Sequence, residues 1–467
     1  MSVRLPFMNF KILNISMLQF YKGIILSFLL FTLTTQLGAF GYAQSSNWLA
    51  LSNGGGQSID LKVDGKGNVY SLGKEGGEME FRSATDEGPT HHSNVPWNGQ
   101  FITKHTSNGA LSYVIHIIGT GGNSNTTTTS KILILKDNRI AVGTYCKSDY
   151  QVIDGNGDST KISQRSTSLL IFSENGRFQS LIPLPIDYAQ WMYQMDDGSI
   201  YAIGREKSYF STSSSAICRI DLRQDRAVLV EGKINPTIND VVQTGNTLWF
   251  LDHEVKKSEW YYQEKTYRLT RLVAGNTSRD VVQTYTFGLC HTNNAQLIAA
   301  QGMPQIVFQV IPGRGTGVEM NDYHIPYTKD YTSWLFVDAK GEVIKRLEID
   351  GMSHGKAVTP MENGDYLLRF IIYDSLFIKG EEPITVPHHR PYIYETCFVQ
   401  YSNDFKKKDM FLSGGVSSSN LSPIVIKDDF LYVSGVFYDD NEIDGKLWKL
   451  EWSHGHFVRK RKMGIGK

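Results

Sequence analysis

The side chains with chemistry to offer gather in long stretches between strand-like segments. Residues 74–100 carry His91, His92 and Trp97, and a shorter stretch carries Trp260, Tyr261 and Tyr262. Residues 302–332 carry Tyr323, His324, Tyr327 and Tyr331; residues 371–396 carry His388, His389, Arg390, Tyr392 and Tyr394. Aromatic rings stack on the apolar faces of sugars, and His and Arg donate to hydroxyls. His92, Trp97, Trp260, Tyr262, Tyr323, His324, Tyr327, His389, Arg390 and Tyr392 are therefore candidates for a glycan-binding face. The competing reading is that these rings pack the loops onto their scaffold, since Tyr and Trp join a large apolar area to a polar tip. Loops beyond about 15 residues are ordinarily functional or disordered.

Two acidic stretches have oxygen ligands at alternate positions, the spacing that turns side chains towards one Ca²⁺. One is Asp154-Gly-Asn156-Gly-Asp158. The other is Asp440, Glu442 and Asp444, followed by Gly445 and, further on, Glu451. Glu442 at the third place and the absence of flanking helical patterns depart from an EF-hand, and a solvated acidic turn is the simpler reading. The His pairs 91–92 and 388–389 offer one ligand each in extended backbone, where neighbours face opposite sides. Residues 312–317 (PGRGTG) lack the Lys-Ser/Thr ending of a phosphate loop. No H-E-x-x-H pair occurs. Asp252, Glu254, Asp374 and Glu395 are acids at strand ends or in loops, where a polysaccharide hydrolase or lyase would need two carboxylates to converge. No catalytic residue is assigned from them.

The elements that must position these side chains are short hairpins. Residues 58–73 (SIDLKVDGKGNVYSLG) alternate apolar and polar, turn at Asp64-Gly-Lys-Gly-Asn68, and resume as an apolar strand. Similar hairpins are expected at residues 130–143, 191–204, 238–252, 288–301, 356–370 and 423–435. Each is followed by another, at 101–118, 169–184, 216–234, 267–287, 334–349, 397–412 and 447–460. Two hairpins per repeat make a four-stranded blade, and no stretch has helical periodicity. The expected fold is all-β, a seven-bladed β-propeller of four-stranded antiparallel blades. Residues 47–52 and 455–460 compete for the outer strand of the last blade, with the N-terminal segment favoured.

The phrase VDGKGNVYSLG, with GGGQS ahead of it and GTGGN ahead of the second copy, resembles the bacterial seven-bladed β-propeller repeat of exported proteins. The resemblance implies fold and export. It implies no shared catalytic residues, so it leaves activity open.

Of the 467 residues, Lys22 precedes an apolar run, residues 24–33, that ends near small residues before Gln44. This reads as a cleaved signal peptide over 1–43 and a single propeller domain over 44–467. The run is too short for a stable membrane span. Removing the leader's three basic residues leaves 44 basic against 47 acidic, no field for nucleic acid. Cys146, Cys218, Cys290 and Cys397 match no metal spacing and read as buried thiols before disulfides. The expectation is an exported monomer that recognises a glycan or a surface protein. A polysaccharide-processing enzyme and an envelope scaffold are the alternatives.

Overall fold

The computed structural model describes residues 47–85, 90–94, 99–120, 127–163, 166–206, 214–234, 238–259, 262–312, 317–328, 331–350, 357–372, 375–385, 395–412, 423–438, 441–443, 446–448 and 454–463. Among them all helix-or-strand structure is strand, every pairing is antiparallel, and the main strands form runs of four within the unit Trp48–Lys467.

The hairpin phrase folds as its side chains dictate. Asp64 Oδ1 accepts from the amides of Lys66 (2.8 Å) and Asn68 (2.9 Å), and Gly67 takes a φ of 80°. The carboxylate thus replaces the strand partners that the turn amides lack, and glycine adopts the left-handed backbone cheaply. Asp338 repeats the clamp on Lys340 and Glu342, both at 2.9 Å.

The first run uses the second part of Trp48–Val63, then Val69–Phe81, Gln100–His105 and Leu111–Gly119. Thr127–Ile134, Ile140–Cys146, Thr167–Phe172 and Phe178–Pro183 form the second. Ile186–Gln194, Ile200–Glu206, Ser215–Asp221 and Arg226–Ile234 form the third. The fourth has Ile238–Thr244, Thr247–Glu259, Tyr262–Val273 and the start of Asp280–Ala300. The rest of that strand begins the fifth, with Met303–Pro312, Thr332–Asp338 and Val343–Asp350. Val358–Pro360, Tyr366–Ile372, Glu395–Tyr401 and Lys407–Leu412 make the sixth. In the last, Ile424–Lys427, Phe430–Tyr438 and His454–Lys462 are completed by the start of Trp48–Val63, with Trp48 opposite Lys460.

Two expected hairpins are corrected. Residues 288–301 do not turn on themselves, because Asp280–Ala300 is one continuous strand. The reversal comes just after it, at Gln301 and Gly302 with φ of 52° and 76°, so that Ala300 faces Met303. Residues 447–460 likewise form no hairpin. Lys446–Trp448 pairs back on Asn441–Ile443, and His454–Lys462 lies between Phe430–Tyr438 and the N-terminal strand. The outer place therefore belongs to Trp48–Asn53.

Consecutive runs bury their faces on one another. Tyr70 and Ile115 of the first meet Ile140 and Leu170 of the second. Leu169 and Ile171 turn the other way, onto Ile200 and Ala216 of the third. That reversal is the period of two in a strand buried on both faces. Tyr201 meets Phe250, Tyr267 meets Phe308, and Phe336 meets Tyr366. Phe398 of the sixth run meets Leu431 of the last. Tyr432 and Val458 of the last run then meet Leu61 and Val69 of the first. The four cysteines sit in these layers as buried thiols, and burial pushes Cys218 and Cys290 up to about 12.

Candidate binding cavity

The first strands of the runs are stitched to one another by polar side chains. Asp60 accepts the Leu61 amide on Oδ1 and, across to the second run, the Ile132 amide on Oδ2, both at 3.0 Å. Tyr193 of the third run donates its hydroxyl to the Val241 carbonyl of the fourth, at 2.5 Å. Asp240 accepts from Val241 (2.9 Å) and from Leu297 in the fifth run (3.0 Å). Gln296 accepts the Val358 amide (3.0 Å) and donates to the Val358 carbonyl (2.6 Å) in the sixth. Ser58 and Ser434 bond at 2.6 Å, tying the first run to the last. An inner strand has one edge without a ladder partner, and these groups satisfy amides there that burial would leave orphaned.

Between these strands lies a cavity of about 490 Å³, within the range of small-molecule sites. Every run contributes to its wall. Asp60 and Lys62 come from the first, Lys131 from the second, Trp191 and Tyr193 from the third, and Val242 from the fourth. Ile298 represents the fifth, Thr359 and Arg369 the sixth, and Ile424 the last.

The ammonium groups of Lys62 and Lys131 each stand 3.8 Å from Asp60 Oδ1, beyond hydrogen-bond length. Asp60 is 5% exposed and both its oxygens serve backbone amides. Burial draws the Arg369 guanidinium down to about 10, which leaves it a cation at neutral pH. Burial first, then the carboxylates of Asp240 and Asp60, hold the Tyr193 phenol well above its ordinary value. It stays a neutral donor. Asp60 is the one carboxylate among the described lining residues, so the wall described offers no carboxylate pair for glycoside hydrolysis.

The loop candidates lie elsewhere or beyond description. Tyr323 and Tyr327 are exposed, and His324 Nδ1 stands 2.5 Å from Glu319 Oε1 on the hairpin Val318–Met320 with Tyr323–Ile325. Tyr262 is half-buried and His92 exposed. Trp97, Trp260, His389, Arg390, Tyr392, Asp440 and Asp444 lie outside the described residues, while Glu442 is placed only as part of the strand Asn441–Ile443. Asp154 is an amide clamp: Oδ1 takes the Asn156 and Asp158 amides and Oδ2 that of Phe178, so it serves the turn, the simpler of the two readings of that stretch. Among the described residues no cluster of three His, Cys, Asp or Glu side chains could hold a metal ion. No helix of the described residues is long and apolar enough to cross a membrane.

Of the acids weighed for catalysis, Asp252 is buried and receives Arg279 Nη1 at 3.1 Å, while Glu254 pairs with Arg268 at 2.7 Å on the surface. Arg279 also reaches Glu231 at 3.1 Å and Thr270 at 3.0 Å. Burial raises Asp252 despite the arginine. His91, the inward neighbour of exposed His92, places Nε2 3.0 Å from His116 Nε2, and burial lowers His91. The sequence reading missed Asp60, Lys62, Lys131, Trp191 and Arg369. One signal was present: an acid interrupts the apolar pattern at the same place in two hairpins, Asp60 and Asp240.

No family model matches the chain, and no curated protein matches it. Among solved structures it is similar to the β-propeller domain of the Trilobed protease from Pyrococcus furiosus, at 9% identity and a TM-score of 0.38, over 76% of this chain and 92% of that one. It is similar to an oligogalacturonate lyase in complex with manganese at 8% identity and a TM-score of 0.39, covering 88% and 99%. An acylaminoacyl peptidase from Pyrococcus horikoshii gives 10% identity and a TM-score of 0.34 over 83% of this chain. This chain spans 59% of that peptidase.

Proposed function

We propose that the chain is an exported seven-bladed β-propeller acting as a binding module, with its ligand seat in the cavity among the first strands. The observation that carries the reading is that cavity, walled by every four-strand run and lined with both polar and apolar groups. The blade arrangement draws support from the order of packing, in which each run buries a face on the next and the last on the first. A rigid ring with convergent inner strands gives a preformed site at little entropic cost. Export remains part of the proposal, with residues 1–43 as the leader and 44–467 as the mature chain. Amino-terminal sequencing of secreted protein tests it.

A second seat has its own observation: the exposed rings of Tyr323 and Tyr327, which suit a glycan face. One experiment separates the two. A glycan and small-molecule array is probed with the mature protein, with Thr359→Trp, which fills the cavity, and with Tyr323→Ala/Tyr327→Ala. Binding lost only in Thr359→Trp supports the cavity. Binding lost only in the tyrosine variant moves recognition to the loop, and no binding by folded protein overturns the module reading.

A further inference from the structure

Resting on the cavity as the ligand seat, we infer that its ligand is an uncharged sugar ring that stacks on Trp191. The charged groups of the wall are engaged with one another or elsewhere in the chain. The Asp60 carboxylate stands between the ammonium groups of Lys62 and Lys131, each 3.8 Å from Oδ1, and both its oxygens hold backbone amides. Lys131 and Arg369 have further interactions within the chain. A carboxylate, phosphate or ammonium group entering this space would give up its hydration with no counter-ion kept for it.

Two uncharged polar groups of the wall are left over. The Trp191 indole N–H and the Thr359 hydroxyl have no hydrogen-bond partner among the described residues, and both atoms are open to solvent. The first only donates, while the second donates and accepts, so each can pair with a ring hydroxyl. Trp191 is half-buried, packed against the layer between the third and fourth runs. Ile59, Val242 and Ile424, also half-buried, continue the apolar wall on three other runs. A sugar ring has both characters: its C–H face packs on an indole, and its rim of hydroxyls pairs with donors and acceptors. A purely apolar ring would cover the same wall but strip water from the N–H and the hydroxyl without replacing it. The volume of about 490 Å³ admits a sugar-sized ring and excludes a folded partner.

The test titrates the mature protein calorimetrically with the methyl glycosides of D-glucose, D-galactose, D-mannose and D-xylose. Beside them run D-glucuronate, glucose 6-phosphate, D-glucosamine and cyclohexanol. At least one neutral glycoside should bind tenfold or more tightly than every charged member and than cyclohexanol. Trp191→Ala should lower that affinity tenfold or more. Trp191→Phe keeps a stacking face and drops the N–H, so it should lower affinity at least threefold, and it stands in should the alanine variant not fold. A charged member or cyclohexanol binding as tightly as the glycosides overturns the inference, and so does glycoside binding indifferent to Trp191. Absence of binding by any member does so as well. The two readings fail separately. Binding of a charged member or cyclohexanol that is lost in folded Thr359→Trp leaves the cavity as the seat and removes only the sugar. Glycoside binding that survives Thr359→Trp removes the seat, and the inference with it.

Discussion

Asp60 and Asp240 occupy equivalent places in the first and fourth runs and make the same pair of bonds. Each takes the amide of its successor on Oδ1 and an amide of the following run's first strand on Oδ2. Both oxygens accept, so asparagine would set an NH₂ against an N–H and leave two donors facing each other. Asp60→Asn and Asp240→Asn should each cost about 1–3 kcal/mol. Denaturant midpoints at constant slope would measure it. A loss under about 0.5 kcal/mol at both sites would mean that the stitches hold nothing.

Two buried histidines make the fold acid-sensitive. Burial lowers His105, beside Trp48, to about 4, and lowers His456, edge-on to Phe101 and bonded to Ser71, to about 3. Both values lie below the ordinary 6.5, so the native state keeps the rings neutral while the unfolded chain takes up protons first. Stability is complete above pH 6.5 and falls as pH drops towards 4 and 3, by about 1.4 kcal/mol per unit for each ring. His456→Gln keeps a partner for Ser71 and cannot charge. Melting temperature from pH 7.5 to 4 should fall less steeply in that variant, and parallel curves would sink the assignment.

Arg279 holds two acids from different runs, Glu231 and Asp252, and its side chain is 10% exposed. Arg279→Met strands the buried Asp252 and should cost about 3–5 kcal/mol. Asp252 is already raised by burial, and losing the cation raises it further. A raised carboxylate contributes stability at low pH that is lost as pH climbs through its folded value. Relative to wild type, the variant should therefore be less destabilised at pH 5 than at pH 8. Equal losses at both would show that Asp252 does not carry the effect.

Gly109 has a φ of 91°, and a Cβ there would lie 2.7 Å from Ala84 Cβ and 2.8 Å from the Trp48 ring. Gly157 has a φ of 86° and open space around it. Gly157→Ala should cost about 1 kcal/mol from backbone strain alone, and Gly109→Ala about 2–4 kcal/mol from strain and overpacking. The difference measures how firmly Trp48 is seated. Equal costs would mean that the N-terminal strand gives way freely.

Much of the scaffold was legible because its turns are local. Asp64 and Asp338 announce their hairpins by clamping amides two and four residues on, a relation written in the sequence itself. Asp280–Ala300 was misread because Thr292-Asn-Asn294 has the composition of a turn, while the positive φ fell to Gln301 and Gly302. The cavity was harder to see. Lys62, Lys131, Trp191 and Arg369 lie on four different runs, and only tertiary packing brings them to one wall. Chemistry was sought in the loops because strands read as framework, and Asp154 shows the hazard: ligand-like spacing there is turn geometry.

The pairing of Trp48 with Lys460 has a consequence for how the chain is made. The first described strand waits for a partner made about 410 residues after it. Joining ends about 410 residues apart as a free loop would cost about 5 kcal/mol of chain entropy, a sum that packing of the intervening runs must already have offset. Until then His454–Lys462 has a bare outer edge, the kind that recruits strands from other molecules. Slower maturation anywhere along the polypeptide thus lengthens the interval in which two copies can join by exchanging their N-terminal strands.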